Sequence, residues 1–117
     1  MTPLLFIQQT APHGSIVGQE GLDACLMGSA FADCALLFLG DGIFQISGIQ
    51  NTQLLGVKDY SVSYGVLPDY GVTKIYCRDQ DLKNRGLVLA DLSISLEALS
   101  DSAIARLVED AAQVLTF

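Results

Sequence analysis

The chain has 117 residues, half of them hydrophobic, and thirteen acidic against six basic residues leave a net charge of −7. That length fits one domain, residues 1–117, because two would each be too small to bury a useful core. The charge has the wrong sign for a broad phosphate-binding surface, which argues against direct nucleic-acid contact.

Two explanations fit the apolar surplus: a sheet buried on both faces, or a surface covered by other subunits. The amino terminus has no basic region ahead of an apolar one. No apolar run approaches the roughly 20 residues that cross a bilayer, so a cytoplasmic protein without membrane contact is expected. Cys25, Cys34 and Cys77 are odd in number, widely spaced and free of any CxxC pair. They predict reduced thiols, with neither a disulfide framework nor a metal site.

Residues 4–8 read as a first buried strand, and 14–18 as the loop entering a helix over 19–32. Leu22, Cys25, Leu26 and Ala30 fall on one helical face, completed by Ser29. Residues 35–39 are short, wholly apolar and ended by Gly40-Asp41-Gly42, as in a central parallel strand. A helical turn at 43–46 and a polar loop over 47–53 follow. A helix over 59–67 is then expected, capped by Asp59 and limited by Gly65 and Pro68.

Residues 72–77 make a third strand candidate. Asp79 is expected to cap a short helix through Arg85 that stops at Gly86. Residues 87–96 alternate as in a strand with one wetter face. Ser100 is an N-cap ahead of the stripe Ile104, Leu107, Val108, Ala111 and Ala112, and 113–117 return as a closing strand. Strand and helix alternate throughout, so an α/β sheet covered on both faces is predicted.

In such sheets, sites lie at the carboxyl ends of the strands. Thr10, His13 and Gly14 after the first strand, and Asp41 and Gly42 after the second, mark that edge. His13 is the sole histidine; as a proton shuttle it has no visible partner, and ordering a loop or interface is the simpler role. Asp41-Gly42 reads as a turn and cap rather than a phosphate or metal carboxylate. The loop around Thr10 has some likeness to a flavin-phosphate cradle, but Pro12 removes one amide donor.

Cys77 ends the third strand beside Arg78 and ahead of a helix start. Both neighbours favour a thiolate, against the plainer reading of a buried strand-end cysteine. Lys74, Arg78, Lys83 and Arg85 cluster nearby with Asp79 and Asp81 interleaved, the pattern of a solvated face.

The strings Thr10-Ala11-Pro12-His13-Gly14, Gly18-Gln19-Glu20-Gly21-Leu22-Asp23-Ala24, Asp41-Gly42-Ile43-Phe44-Gln45, Asp59-Tyr60 and Arg85-Gly86-Leu87 occur in the order and spacing of one family. By these the chain resembles the DsrE/DsrF-like family from first strand to last. The resemblance implies a single flavodoxin-like α/β domain, with a mainly parallel sheet of about five strands and helices on both faces. It implies a subunit without catalytic activity of its own and without a cofactor, joining TusB-like and TusD-like subunits in a dimer of heterotrimers.

That assembly would pass persulfide sulfur from a TusA-like to a TusE-like carrier for 2-thiolation of the tRNA wobble uridine. In the TusD-like partner the accepting cysteine precedes a short helix ending in Arg-Arg-Gly. Counting back from Arg85-Gly86 sets Arg78, not Cys77, at that position. The alternatives are a sulfur carrier acting through Cys77, a DsrF-like subunit of a dissimilatory sulfur pathway, and a flavin-binding protein.

Overall fold

A computed structural model describes residues 3–11, 16–47 and 60–117, with backbone alone at 60–63. Five strands, β1 (Leu4–Gln8), β2 (Cys34–Phe38), β3 (Lys74–Arg78), β4 (Glu97–Leu99) and β5 (Gln113–Thr116), form one sheet in the order β4-β3-β2-β1-β5. Every adjacent pair is parallel. Three α-helices, α1 (Val17–Gly28), α2 (Asp79–Asn84) and α3 (Asp101–Asp110), connect them, together with 3-10 segments at Gly40–Gln45, Tyr60–Tyr70 and Leu89–Asp91. This is the expected flavodoxin-like α/β architecture.

The strand order explains which face each helix covers. From β1 to β4 the chain steps one place at a time in one direction, and right-handed crossovers then put all the connections on a single face. The return from β4 to β5 runs the other way, which carries α3 to the opposite face. Alternate residues of the strands accordingly divide into two cores. Phe6, Leu36, Phe38 and Cys77 pack with Leu22 and Cys25 of α1, Leu82 of α2 and Ile43, Tyr64 and Leu67 of the 3-10 segments. Leu5, Ile7, Ala35 and Leu37 pack under Ile104 and Leu107 of α3 and Ala111 just beyond it. All five residues of β2 are buried, as a central strand covered on both sides requires.

Several boundaries differ from expectation. Helix α1 starts two residues earlier and stops at Gly28; Ala30 is exposed in the turn beyond it. There the backbone tightens into i→i+3 bonds, Ala30 to Met27 and Phe31 to Gly28, while the Ser29 hydroxyl donates to the Leu26 carbonyl. Strand β2 begins at Cys34, which pairs with Leu4. The turn expected at 43–46 is a 3-10 segment beginning at Gly40.

The helix expected over 59–67 is also 3-10 where described and runs through Pro68 to Tyr70. Its Asp59 cap and the loop at 48–53 lie outside the described residues. Strand β3 is shifted to Lys74–Arg78. Arg78, in extended conformation, is the N-cap residue of α2, and Asp79 is its first helical residue. An acid there favours the positive end of the helix without making a cap bond.

Residues 87–96 are not a strand. Leu92, Ile94 and Leu96 do turn toward the core, which accounts for the alternation, but before Glu97 the segment's one β-pairing among the described residues is an isolated antiparallel bridge to Ser47 at Leu92. Ser100 caps α3 as expected, accepting the Ala103 amide at 3.3 Å. Along the α3 stripe Val108 and Ala112 are exposed. Surface apolar groups are conspicuous elsewhere too: Phe31 is 90% exposed and Met27 72%.

Candidate functional site at the carboxyl edge

The ends of β1 to β4 bring Thr10, Asp41 and Gly42, Arg78 through Asp81, and Asp101 to one edge of the sheet. His13 and Gly14 lie outside the described residues. Gly42 is where the loop after β2 crosses the end of β1: a Cβ there would lie 2.0 Å from the Gln8 carbonyl oxygen. Only glycine permits that approach.

Asp81 organises this edge. It is 5% exposed. Its Oδ2 accepts the Gly40 amide at 2.7 Å, and its Oδ1 lies 3.1 Å from Arg78 Nη1 and 3.5 Å from Arg85 Nη1. Arg78 also forms a forked pair with Asp101 at the start of α3, Nε to Oδ1 at 2.6 Å and Nη2 to Oδ2 at 3.0 Å. Hydrogen bonding to Asp101 and then to Asp81 makes Arg78 hold its proton more tightly than usual. The same bond to Arg78 draws the Asp101 carboxyl below its ordinary range.

Arg85 donates to Asp41 Oδ1 at 2.9 Å and to the Asp81 carbonyl at 3.3 Å, and its guanidinium lies 5.7 Å from the centre of the Phe44 ring. Two guanidinium groups are therefore held by three carboxylates, and their charge is satisfied within the chain. Lys83 pairs with Asp79 one helical turn away. Among the described residues no group of three or more histidine, cysteine or acidic side chains could hold a metal ion.

Cys77 sits beside this network but faces the core. It is 0% exposed, and burial, followed by the charges of Asp79 and Asp81, pushes its thiol up to about 11. Its sulfur is a neutral thiol near neutral pH. The thiolate-favouring effects of Arg78 and the helix start are outweighed, since Arg78 is committed to two carboxylates. Cys25 and Cys34 are also buried and reduced. Burial raises both, Cys25 to about 12.

A second polar cluster, not anticipated from the sequence, lies beneath the edge. Gln8, Gln45 and Tyr64 are all fully buried. Gln8 Nε2 donates to the Gly18 carbonyl at 2.8 Å and to the Tyr64 hydroxyl at 3.1 Å. The Tyr64 hydroxyl donates in turn to Gln45 Oε1, and Gln45 Nε2 to the Thr10 carbonyl at 2.7 Å. The clue available was a glutamine ending an apolar strand and another within an apolar turn.

The model of the DsrE/DsrF-like family matches residues 3–117. The chain belongs to this family. Among its DsrE/DsrF-like relatives, proteins named TusC homolog from Vibrio vulnificus strain CMCP6 and Vibrio parahaemolyticus are 33% and 34% identical, each over the full length of both chains. The intracellular sulfur oxidation protein DsrF of Allochromatium vinosum is 39% identical over 75% of this chain and 65% of its own. The ychN protein from E. coli shares the fold, with a TM-score of 0.81 over all of both chains at 18% identity. Among the described residues of this DsrE/DsrF-like chain no helix is long and apolar enough to cross a membrane.

Proposed function

We propose that this chain is a supporting, non-catalytic subunit of a TusBCD-type sulfur-relay complex that promotes 2-thiolation of the tRNA wobble uridine. TusB-like and TusD-like subunits complete the dimer of heterotrimers, and TusA-like and TusE-like carriers bring and remove the sulfur. The reading rests on the full-length likeness to TusC homologues. The observation that carries the supporting role is the burial of Cys77 with a thiol raised to about 11, since a persulfide carrier needs a reachable thiolate. The exposed Phe31 and Met27 agree with a chain that has partners.

Co-expression with TusB-like and TusD-like chains tests this. A stoichiometric complex is expected, in which Cys77→Ser leaves sulfur transfer near the wild-type rate. Loss of transfer with the complex intact would instead make Cys77 a carrier. The likeness to DsrF favours a second reading, a subunit of a dissimilatory sulfur pathway. Thiouridine analysis of tRNA after deletion of the gene separates them, because only the first reading predicts loss of the 2-thio group.

A further inference from the structure

We propose that the free edge of β5 is a self-pairing surface, on which a second copy of this chain adds its own β5 antiparallel to make one continuous sheet. The inference is independent of the sulfur-relay reading. It starts from hydrogen-bond directions. Gln113 donates to the Pro3 carbonyl at 2.9 Å and Phe117 to the Ile7 carbonyl at 2.8 Å, while the Phe117 carbonyl accepts from Gln9 at 2.9 Å. With the two-residue period of a parallel ladder, Gln113, Leu115 and Phe117 face β1. The N–H and C=O of Val114 and Thr116 therefore point outward, where no described residue bonds them.

That outward array is complementary to itself. A twofold axis perpendicular to the sheet at Leu115 sets Val114 opposite Thr116 of the second copy. Each residue presents one donor and one acceptor, so the pair makes four hydrogen bonds. Val114 and Thr116 are exposed and lie on the α3 face, opposite Leu5 and Ile7 in register. The twofold keeps both α3 helices on the same side, where Val108, 39% exposed, and Val114, 37% exposed, provide apolar surface to cover.

Charge selects this edge over the other. Native sheets guard open edges with charged residues, proline, bulges or brevity. Strand β4 has only three residues and carries exposed Glu97. From Ala111 to Phe117 there is no charged residue and no proline. Two copies at −7 each repel over most of their surface, whereas the outward-facing residues of this edge, Val114 and Thr116, carry no charge.

The isolated chain is expected to show a dimer mass by light scattering, with Val114 and Thr116 amides protected from hydrogen exchange. Val114→Pro removes one outward amide and leaves the β1 ladder intact. It should yield a folded monomer by mass and circular dichroism. Should that variant not fold, Thr116→Pro removes the other outward amide. Leu115→Cys should form an oxidised dimer across the axis. A wild-type chain that stays monomeric at its solubility limit would overturn the proposal. So would a dimer that survives both proline substitutions, or one in which the Val114 and Thr116 amides exchange freely.

Discussion

The carboxylate of Asp81, in the first turn of α2, accepts the backbone amide of Gly40 at 2.7 Å. This bond ties the loop after β2 to the helix after β3, and it is made by a buried acid that also faces two arginines.

Asp81→Ala removes the acceptor and leaves the Gly40 amide and both guanidinium groups short of a partner. A loss of about 3 kcal/mol is expected, the range for breaking a buried ion pair from one side. Asp81→Asn keeps one acceptor and should cost about half as much. Urea unfolding measures both. An alanine variant within about 0.5 kcal/mol of the wild type, the usual spread for surface substitutions, would show that the network is incidental.

Tyr64→Phe tests the cluster beneath the edge. The hydroxyl links Gln8 to Gln45, and removing it strips a partner from each buried amide. A cost of about 2 kcal/mol is expected. The T-shaped contact of the ring with Phe38, centroids 5.4 Å apart, should persist. An unchanged unfolding midpoint would mean that the two glutamines find other partners.

Two glycines should respond very differently to alanine. Gly42→Ala places a methyl group 2.0 Å from the Gln8 carbonyl oxygen, so the end of β1 and the turn after β2 must separate. A loss of about 3 kcal/mol or failure to fold is expected. At Gly86 a Cβ meets nothing within 4 Å, and only the left-handed backbone, φ +65°, opposes it. There about 1 kcal/mol is expected. Equal effects at the two sites would contradict the close approach at Gly42.

The thiols predict an alkaline limit to stability. Folding raises Cys77 to about 11 and Cys25 to about 12, so above the ordinary value of 9.0 the unfolded chain loses protons that the folded chain retains. Their contribution is complete below pH 9 and is lost as pH rises through the folded values. Unfolding free energy should therefore fall between pH 9 and pH 11, less steeply in Cys25→Ala than in the wild type. Native protein at pH 7.5 should resist alkylation that proceeds readily in denaturant. A thiol that reacts at once under native conditions would contradict the burial.

Local rules made much of the fold legible. Leu4–Gln8 was apparent from a run of apolar residues, and Ser100 from the serine-acid pair ahead of a stripe. Residues 87–96 misled because alternation records which side of a segment meets the core, whereas a strand also needs a neighbour in hydrogen-bonding register. Leu92, Ile94 and Leu96 had the first without the second.

At the carboxyl edge, Asp41 was legible as a turn residue, but its partner Arg85 lies 44 residues away. The interleaved Arg78, Asp79, Asp81 and Lys83 suggested a solvated face, yet Asp81 is turned inward. The spacings Arg78 to Asp81 and Asp81 to Arg85, three and four residues on a helix, were the available hint. That Asp101, from another helix, would complete the fork on Arg78 depends on topology alone.

Strand β1 lies between β2 and β5, and α3 lies over Leu5 and Ile7. During synthesis on the ribosome, one flank of the first strand and the greasy side beneath it must therefore wait for residues 101–116 to emerge. Nascent chains halted before that point are natural clients for a chaperone that binds exposed aliphatic segments.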